Sequence, residues 1–105
     1  MNKVIKYTLK EGVNEIETHH YSKVLDVKFQ RGVPTLWVLE DLTYPLNRIM
    51  YIQLVKTGEE VDLGRWFHAM GMQSDFEYIS TLETHHMRDD DYVLHAFQLY
   101  NYKLV

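Results

Sequence analysis

Apolar and polar residues alternate with a period of two along several stretches of the chain. The segment from Lys3 to Leu9 alternates in this way, and so does the segment from Lys23 to Gln30. Successive side chains of a β-strand point to opposite faces, so this period predicts half-buried strands. The side chains predicted to face inward are Ile5, Tyr7 and Leu9 in the first strand and Leu25, Val27 and Phe29 in the second.

Two further segments are apolar on both faces. Val33 to Glu40 contains Leu-Trp-Val-Leu, in which Trp37 is predicted to be a core residue, and Arg48 to Lys56 contains an almost unbroken apolar run. A run that is apolar on both faces is typical of a strand inside a sheet, so the second segment is predicted to be central. Arg31-Gly32 separates the first of these runs from the strand before it. Glycine there supplies the positive φ that a tight hairpin needs.

The period changes between Asp62 and Gly71. Leu63, Trp66, Phe67 and Met70 recur there at helical spacing, which predicts a short helix over residues 62–70. Asp62 suits the cap before the first turn, and Gly71 suits the position after the last one.

Three more strands complete the predicted fold. They are a short returning strand at Asn14 to Thr18 and two closing strands at Phe76 to Leu82 and Tyr92 to Tyr100. Six or seven strands with turn signals every 8–12 residues predict a mainly β fold with one minor helix, arranged as an antiparallel sandwich or a partly open barrel. No linker or low-complexity tract divides the 105 residues, so we expect a single domain over 1–105.

Composition excludes several classes of function. The chain has no cysteine, which removes disulfides and thiolate chemistry. Its formal net charge is -4 and it shows no clustered Lys/Arg face, so nucleic acid is not an expected partner. No apolar stretch approaches the length of a membrane span, and the first residues do not resemble a signal peptide. We therefore expect no membrane association and a cytoplasmic location.

Motifs for catalysis are missing from the sequence. No serine lies in a GxSxG elbow, and no glycine-rich loop matches a phosphate-binding motif. The acidic pairs Glu40-Asp41 and Glu59-Glu60 flank turn signals, where solvated carboxylates are the expected state. We therefore predict that the protein is not an enzyme and carries no cofactor.

The histidines offer two further hypotheses. His19-His20 and His85-His86 both follow a Glu-Thr dipeptide, and imidazole is a ligand that zinc, nickel and iron(II) accept. Adjacent strand residues point to opposite faces, so each pair supplies one ligand to a given site and a metal site is disfavoured. His95 lies in the last apolar strand. It is either a ligand-binding group or a half-buried histidine bonded to a carbonyl or a tyrosine.

The aromatic content is high for a small core, with eight tyrosines, four phenylalanines and two tryptophans. Aromatic and methionine side chains anchor many protein interfaces. The candidate partner-binding residues are Trp66, Phe67, Met70, Tyr100 and Tyr102.

A series of short motifs recurs in one order along the chain: Ile5-Lys6-Tyr7-Thr8-Leu9, Leu36-Trp37-Val38-Leu39-Glu40-Asp41, Thr57-Gly58, Tyr78-Ile79-Ser80-Thr81-Leu82 and Val93-Leu94-His95-Ala96-Phe97. In order and spacing they resemble a family of small bacteriophage-encoded proteins known only as a domain of unknown function. The resemblance implies a compact β-rich domain and assigns no catalytic residue. The sequence departs from the family pattern after Gly58, where Glu59 replaces a histidine and the segment 62–74 is longer.

Together these observations favour a non-enzymatic phage accessory protein that acts through protein–protein contact. The expected partner is a host protein, a phage protein or a second copy of the chain. A domain that binds a small ligand or a metal, for example one that sequesters a nucleotide signal, is the alternative.

Overall fold

The computed structural model describes residues 1–62, 76–83, 92–100 and Tyr102. Within these ranges the chain forms seven β-strands and no helix, so the predicted mainly β fold is confirmed. The helix predicted over 62–70 lies outside the described residues except for Asp62, which is not helical. The strands are β1 Asn2–Thr8, β2 Gly12–Thr18, β3 Ser22–Gln30, β4 Val33–Asp41, β5 Arg48–Lys56, β6 Phe76–Glu83 and β7 Val93–Leu99.

The strands form two antiparallel sheets. Sheet A has the order β1-β4-β3, and sheet B has the order β2-β5-β7-β6. In sheet B, β5 lies between β2 and β7, as its apolar run predicts, because an interior strand of a packed sheet meets other side chains on both faces.

The core lies between the two sheets. Alternate residues of β4 and β5 supply much of it, because the period of two places every second side chain on the inner face. The buried apolar side chains from both sheets are Leu9, Val27, Leu36, Val38, Met50, Ile52, Leu54, Leu82, Leu94 and Ala96.

No helix in the described part of the chain is long and apolar enough to cross a membrane.

The hairpin between β3 and β4 turns at Arg31 and Gly32, as the sequence predicts. Both residues have positive φ, 52° and 79° respectively. A two-residue hairpin with positive φ at both positions is a type I′ turn, whose twist matches that of the flanking strands. Arg31 therefore adopts a backbone conformation that asparagine or glycine tolerates better.

Edge strands β3 and β6 lie side by side, and each contains an irregularity. The register of β3 shifts between Val24 and Asp26, and that of β6 shifts between Tyr78 and Ser80. A β-bulge adds one residue to a strand, so the side chains beyond it point to the opposite faces from those that an unbroken alternation predicts. Leu25, predicted to face inward, is the extra residue of β3 and is 47% exposed, so that prediction is wrong.

No backbone ladder joins β3 to β6 in the described residues. The hydroxyl of Ser80 donates a hydrogen bond to the carbonyl of Val27 across this seam. The fold is thus a two-sheet sandwich with one pair of neighbouring edges, and the barrel is not closed.

Trp37 does not belong to the core, contrary to the prediction. Its neighbours Leu36 and Val38 are fully buried, so Trp37 faces away from the sandwich on the outer side of sheet A. The ammonium group of Lys28 lies 5.3 Å from the centroid of its ring. A strand that is apolar on both faces does not reveal which face is inner, and the indole is covered here by a lysine rather than by a second sheet.

Candidate functional site

Polar side chains from both sheets converge at one end of the sandwich. There β2 and β4 end and β3 and β5 begin, so Thr18 pairs with Arg48 and Ser22 pairs with Glu40. All four side chains lie on the inner side of their strands. The hydroxyl oxygens of Thr18 and Ser22 are 3.1 Å apart, which links sheet B to sheet A.

The carboxylate of Glu40 is fully buried at this end. It accepts hydrogen bonds from the hydroxyl of Tyr7, from the backbone N–H of His19 at 2.9 Å and from Nδ1 of His19 at 2.7 Å. The prediction of a solvated carboxylate is therefore wrong for Glu40. Positions 36 and 38 of the same strand face inward, and the period of two places Glu40 on the same face. This periodicity is the sequence signal that could have placed Glu40 inside.

The contacts of Glu40 determine its ionisation. Burial raises the pKa of the carboxyl group, but the hydrogen bonds from Tyr7 and His19 together outweigh that effect and hold the pKa below its ordinary value. Burial and the neighbouring carboxylate both raise the pKa of Tyr7. At neutral pH the pair is thus an ionised carboxylate and a protonated phenol.

The imidazole of His19 is oriented by this carboxylate. Its Nδ1 is bound to Glu40, its side chain is 20% exposed, and its Nε2 has no hydrogen-bond partner within the described ranges. A histidine held by a carboxylate is the arrangement that orients many catalytic and metal-binding imidazoles. Here, in the described part of the chain, no nucleophile is bonded to it. The cluster therefore ties β1 and β4 to the end of β2.

Of the four histidines considered as disfavoured metal-ligand candidates, only His19 and His20 are described. His20 packs edge-on against Tyr21, with ring centroids 4.6 Å apart, while His19 turns to Glu40. The adjacent histidines thus point to different environments, although both follow the end of β2 at Thr18 and strand parity does not apply to them. His85 and His86 lie outside the described residues. No group of three or more histidine, aspartate or glutamate side chains able to hold a metal occurs among the residues described.

Arg48 projects from the start of β5 into the open end of the sandwich. Its Nη1 donates to the backbone carbonyl of Ser22 at 2.9 Å and to the Ser22 hydroxyl at 3.2 Å. Sequence reasoning passed over this arginine because nothing in its neighbourhood along the chain pairs with it. The structure brings it to β3 across the gap between the sheets.

His95 lies on the outer face of sheet B, with both ring nitrogens engaged. Nε2 is 2.7 Å from the hydroxyl of Thr57, and Nδ1 is 3.0 Å from the hydroxyl of Tyr78. Tyr78 in turn bonds the hydroxyl of Thr81. His95 is therefore bonded to a tyrosine and to a threonine hydroxyl, and its role as a ligand-binding group stays a prediction.

Aromatic rings line the outer face of β6 and β7 beside His95. Phe76 and Tyr78 are 47% and 46% exposed, and both pack edge-to-face on Phe97, with centroids 6.0 and 5.2 Å away. We call Phe76, Tyr78 and Phe97 the aromatic face. Sequence reasoning missed it because these residues were assigned to the closing strands and not to a surface.

Of the predicted partner-binding residues, two are described. Tyr100 donates to Glu77 at 3.0 Å and to Gln98 at 3.2 Å. Tyr102 donates to Asp62, and this bond together with burial raises the pKa of Tyr102 to about 12. Both hydroxyls are therefore satisfied inside the chain. Trp66, Phe67 and Met70 lie outside the described residues.

Comparison with known proteins yields one match. The model of a family described as Domain of unknown function (DUF7352) matches residues 1–103. No curated protein and no solved structure matches the chain. The resemblance to a domain of unknown function is thereby confirmed, and residue roles rest on the geometry alone.

Proposed function

The chain belongs to the family described as Domain of unknown function (DUF7352), and we propose that it is a non-enzymatic protein-binding module. The proposed contact surface is the aromatic face of sheet B. The proposed setting is the cytoplasm of a bacterial host, with the protein encoded by a phage and its partner a host or phage protein.

The observation that carries this proposal is the exposure of Phe76 and Tyr78 next to one another. Nearly half of each side chain is open to solvent, although both lie within β6. Exposed aromatic residues that adjoin one another mark interaction surfaces more often than isolated ones do. Tyrosine and phenylalanine bury a large area when a partner covers them.

The aromatic face is also ordered before any partner arrives. Each exposed ring rests edge-to-face on Phe97, and Tyr78 is further held by its bond to His95. A side chain that is already held in place loses less rotamer entropy on binding, which favours affinity. The surface lies on strands and not on a loop, so its geometry is fixed by the sheet.

A double variant tests the proposal. Phe76→Ser/Tyr78→Ser removes the two exposed rings, while Val4→Ser removes an apolar side chain that is 56% exposed on β1 and serves as the matched control. The proteins bound by tagged wild type, double variant and control are compared by quantitative mass spectrometry, and thermal unfolding checks that each variant is folded.

We expect one partner at near-stoichiometric amounts with wild type and with Val4→Ser, and its loss with the double variant. If the partner is the chain itself, the same loss appears as a lower mass in light scattering. A folded double variant that keeps all its partners contradicts the proposal.

A further inference from the structure

Two clefts with partly shared linings adjoin at the open end of the sandwich, and we call them together the groove. The first, of about 320 Å³, runs along the seam between β3 and β6 and is lined by residues that include Glu77, Gln98 and Tyr100. The second, of about 470 Å³, adjoins the β4–β5 loop and is lined by residues that include Tyr21, Asp41 and Tyr44. Ser22, Lys23 and Arg48 line both clefts and so form the middle of the groove. Small-molecule sites have volumes in this range.

The middle of the groove is cationic. Lys23 makes no hydrogen bond or ion pair with any described residue. Among the described residues, the guanidinium of Arg48 is bound through Nη1 alone, to the carbonyl and hydroxyl of Ser22. The remaining donors of Arg48 and the ammonium of Lys23 are available to a ligand. Donors of this kind form their strongest hydrogen bonds with phosphate or carboxylate oxygens.

The two carboxylates of the groove lie at its ends and already have partners. Asp41 accepts from the terminal amino group of Met1 at 3.2 Å and from the backbone of Thr43 at 2.9 Å. The bonds from Thr43 hold the pKa of Asp41 below its ordinary value. Glu77 accepts from Tyr100. An anionic group therefore fits the middle of the groove and not its ends.

One end of the groove also presents ordered aromatic rings. Tyr21 and Tyr44 are 59% and 42% exposed, and their rings meet edge-to-face with centroids 4.5 Å apart. His20 supports Tyr21 from the other side. Tyrosine faces held in this way stack planar rings such as nucleobases, and such stacking tolerates any base.

We propose that this groove binds a phosphorylated small molecule with a planar ring, of the mononucleotide class. Its phosphate lies between Lys23 and Arg48, and its ring stacks on Tyr21 or Tyr44. Tyr78 lines the first cleft and also belongs to the aromatic face, so the two proposed sites adjoin there. The ligand contacts proposed here are made by Lys23, Arg48 and the tyrosines Tyr21 and Tyr44, which lie outside that face, and variants of these residues test the site separately.

Isothermal titration of the full chain with adenosine 5′-monophosphate, adenosine and inorganic phosphate tests the proposal. We expect the monophosphate to bind more tightly than either of its parts, and its Kd to rise with salt concentration because the contact is charged. Lys23→Gln is expected to raise that Kd about tenfold, the loss of one charge-assisted contact.

Two further variants separate the parts of the site. Lys28→Gln makes the same charge change on the same strand outside the groove, so it is the matched control and is expected to leave the Kd within about twofold. Tyr44→Ser is expected to weaken the monophosphate while leaving inorganic phosphate unchanged. Thermal unfolding confirms that each variant is folded.

Three outcomes overturn the proposal. The first is no binding of the monophosphate at millimolar concentration. The second is an equal loss of affinity with Lys28→Gln and Lys23→Gln, which indicates that the ligand is attracted by net charge alone. The third is that the monophosphate binds no more tightly than inorganic phosphate and that Tyr44→Ser leaves its Kd unchanged. This result would show that the planar ring contributes nothing to binding.

Discussion

The buried carboxylate of Glu40 is expected to stabilise the fold at neutral pH, and Glu40→Gln tests this directly. Glutamine has nearly the same shape and keeps one acceptor oxygen, so the substitution removes the charge without opening a cavity. The amide oxygen can still accept from the backbone N–H and from Nδ1 of His19. The amide nitrogen then faces the hydroxyl of Tyr7.

The size of the effect follows from the three hydrogen bonds that Glu40 accepts. A hydrogen bond to a charged group contributes about 1.5–3 kcal/mol, and a neutral one about 0.5–1.5 kcal/mol, so the charge adds about 1 kcal/mol to each bond. Over the three bonds the charge therefore contributes about 3 kcal/mol, and the desolvation penalty of the buried carboxylate offsets part of this gain. The lowered pKa of Glu40 shows that the bonds win. We therefore expect Glu40→Gln to lower the free energy of unfolding by about 2 kcal/mol at pH 7.

The same pKa gives the pH dependence its sign. A carboxyl group whose pKa is lower in the folded state than in the unfolded chain stabilises the fold above the unfolded pKa, about 4.3 for glutamate. That contribution disappears as the pH falls through the folded pKa. The difference in unfolding free energy between wild type and Glu40→Gln should therefore be present at neutral pH and shrink below about pH 4.3.

Urea denaturation followed by circular dichroism at a series of pH values measures this difference. Glu17→Gln, an exposed glutamate on β2, is the control and should change stability by less than about 0.5 kcal/mol. Tyr7→Phe in the wild-type and Glu40→Gln backgrounds completes a double-mutant cycle, in which we expect a coupling of about 1–2 kcal/mol. A Glu40→Gln variant that is as stable as wild type at pH 7, or more stable, would refute the reasoning, because it would mean that burial outweighs the bonds.

Three other predictions concern the hairpin, the core and the carboxyl-terminal residues. Arg31→Asn places a residue that tolerates positive φ beside Gly32 in the type I′ turn, and should raise the urea midpoint by an amount equivalent to about 0.5 kcal/mol. An unchanged or lower midpoint contradicts the turn assignment. Asn14→Leu removes a buried amide that bonds the backbone at Lys10 and β5, and should cost about 2–3 kcal/mol in the same assay, whereas a neutral result means those backbone groups find other partners. The raised pKa of Tyr102 contributes stability that is complete below pH 10 and is lost as the pH rises towards 12, so Tyr102→Phe should lessen the alkaline loss of stability seen in thermal unfolding. Equal losses in both proteins count against the bond to Asp62.

The strands could be predicted because their signal is local. The period of two at Lys3 to Leu9 and the apolar run at Arg48 to Lys56 reflect burial on one face or on both. The observed strands agree with these bounds to within one residue. The Arg31–Gly32 turn is equally local, since positive φ at two adjacent positions depends on the residues that occupy them.

The bulges and the outward position of Trp37 could not be predicted in this way. A bulge arises where two edges meet, and Leu25 lies at the seam between β3 and β6, which are far apart in the chain. Which face of an apolar strand is inner depends on the sheet that packs against it, and Trp37 lies on the opposite face.

The sequence by itself determined the strand content, the hairpin turn and the absence of cysteine chemistry, because each depends on residues close together in the chain. Only the tertiary structure decided which polar groups meet. Tyr7, His19 and Glu40 come from three separate segments. Their contacts follow from the pairing of two sheets, and the composition of any one segment carries no record of that pairing.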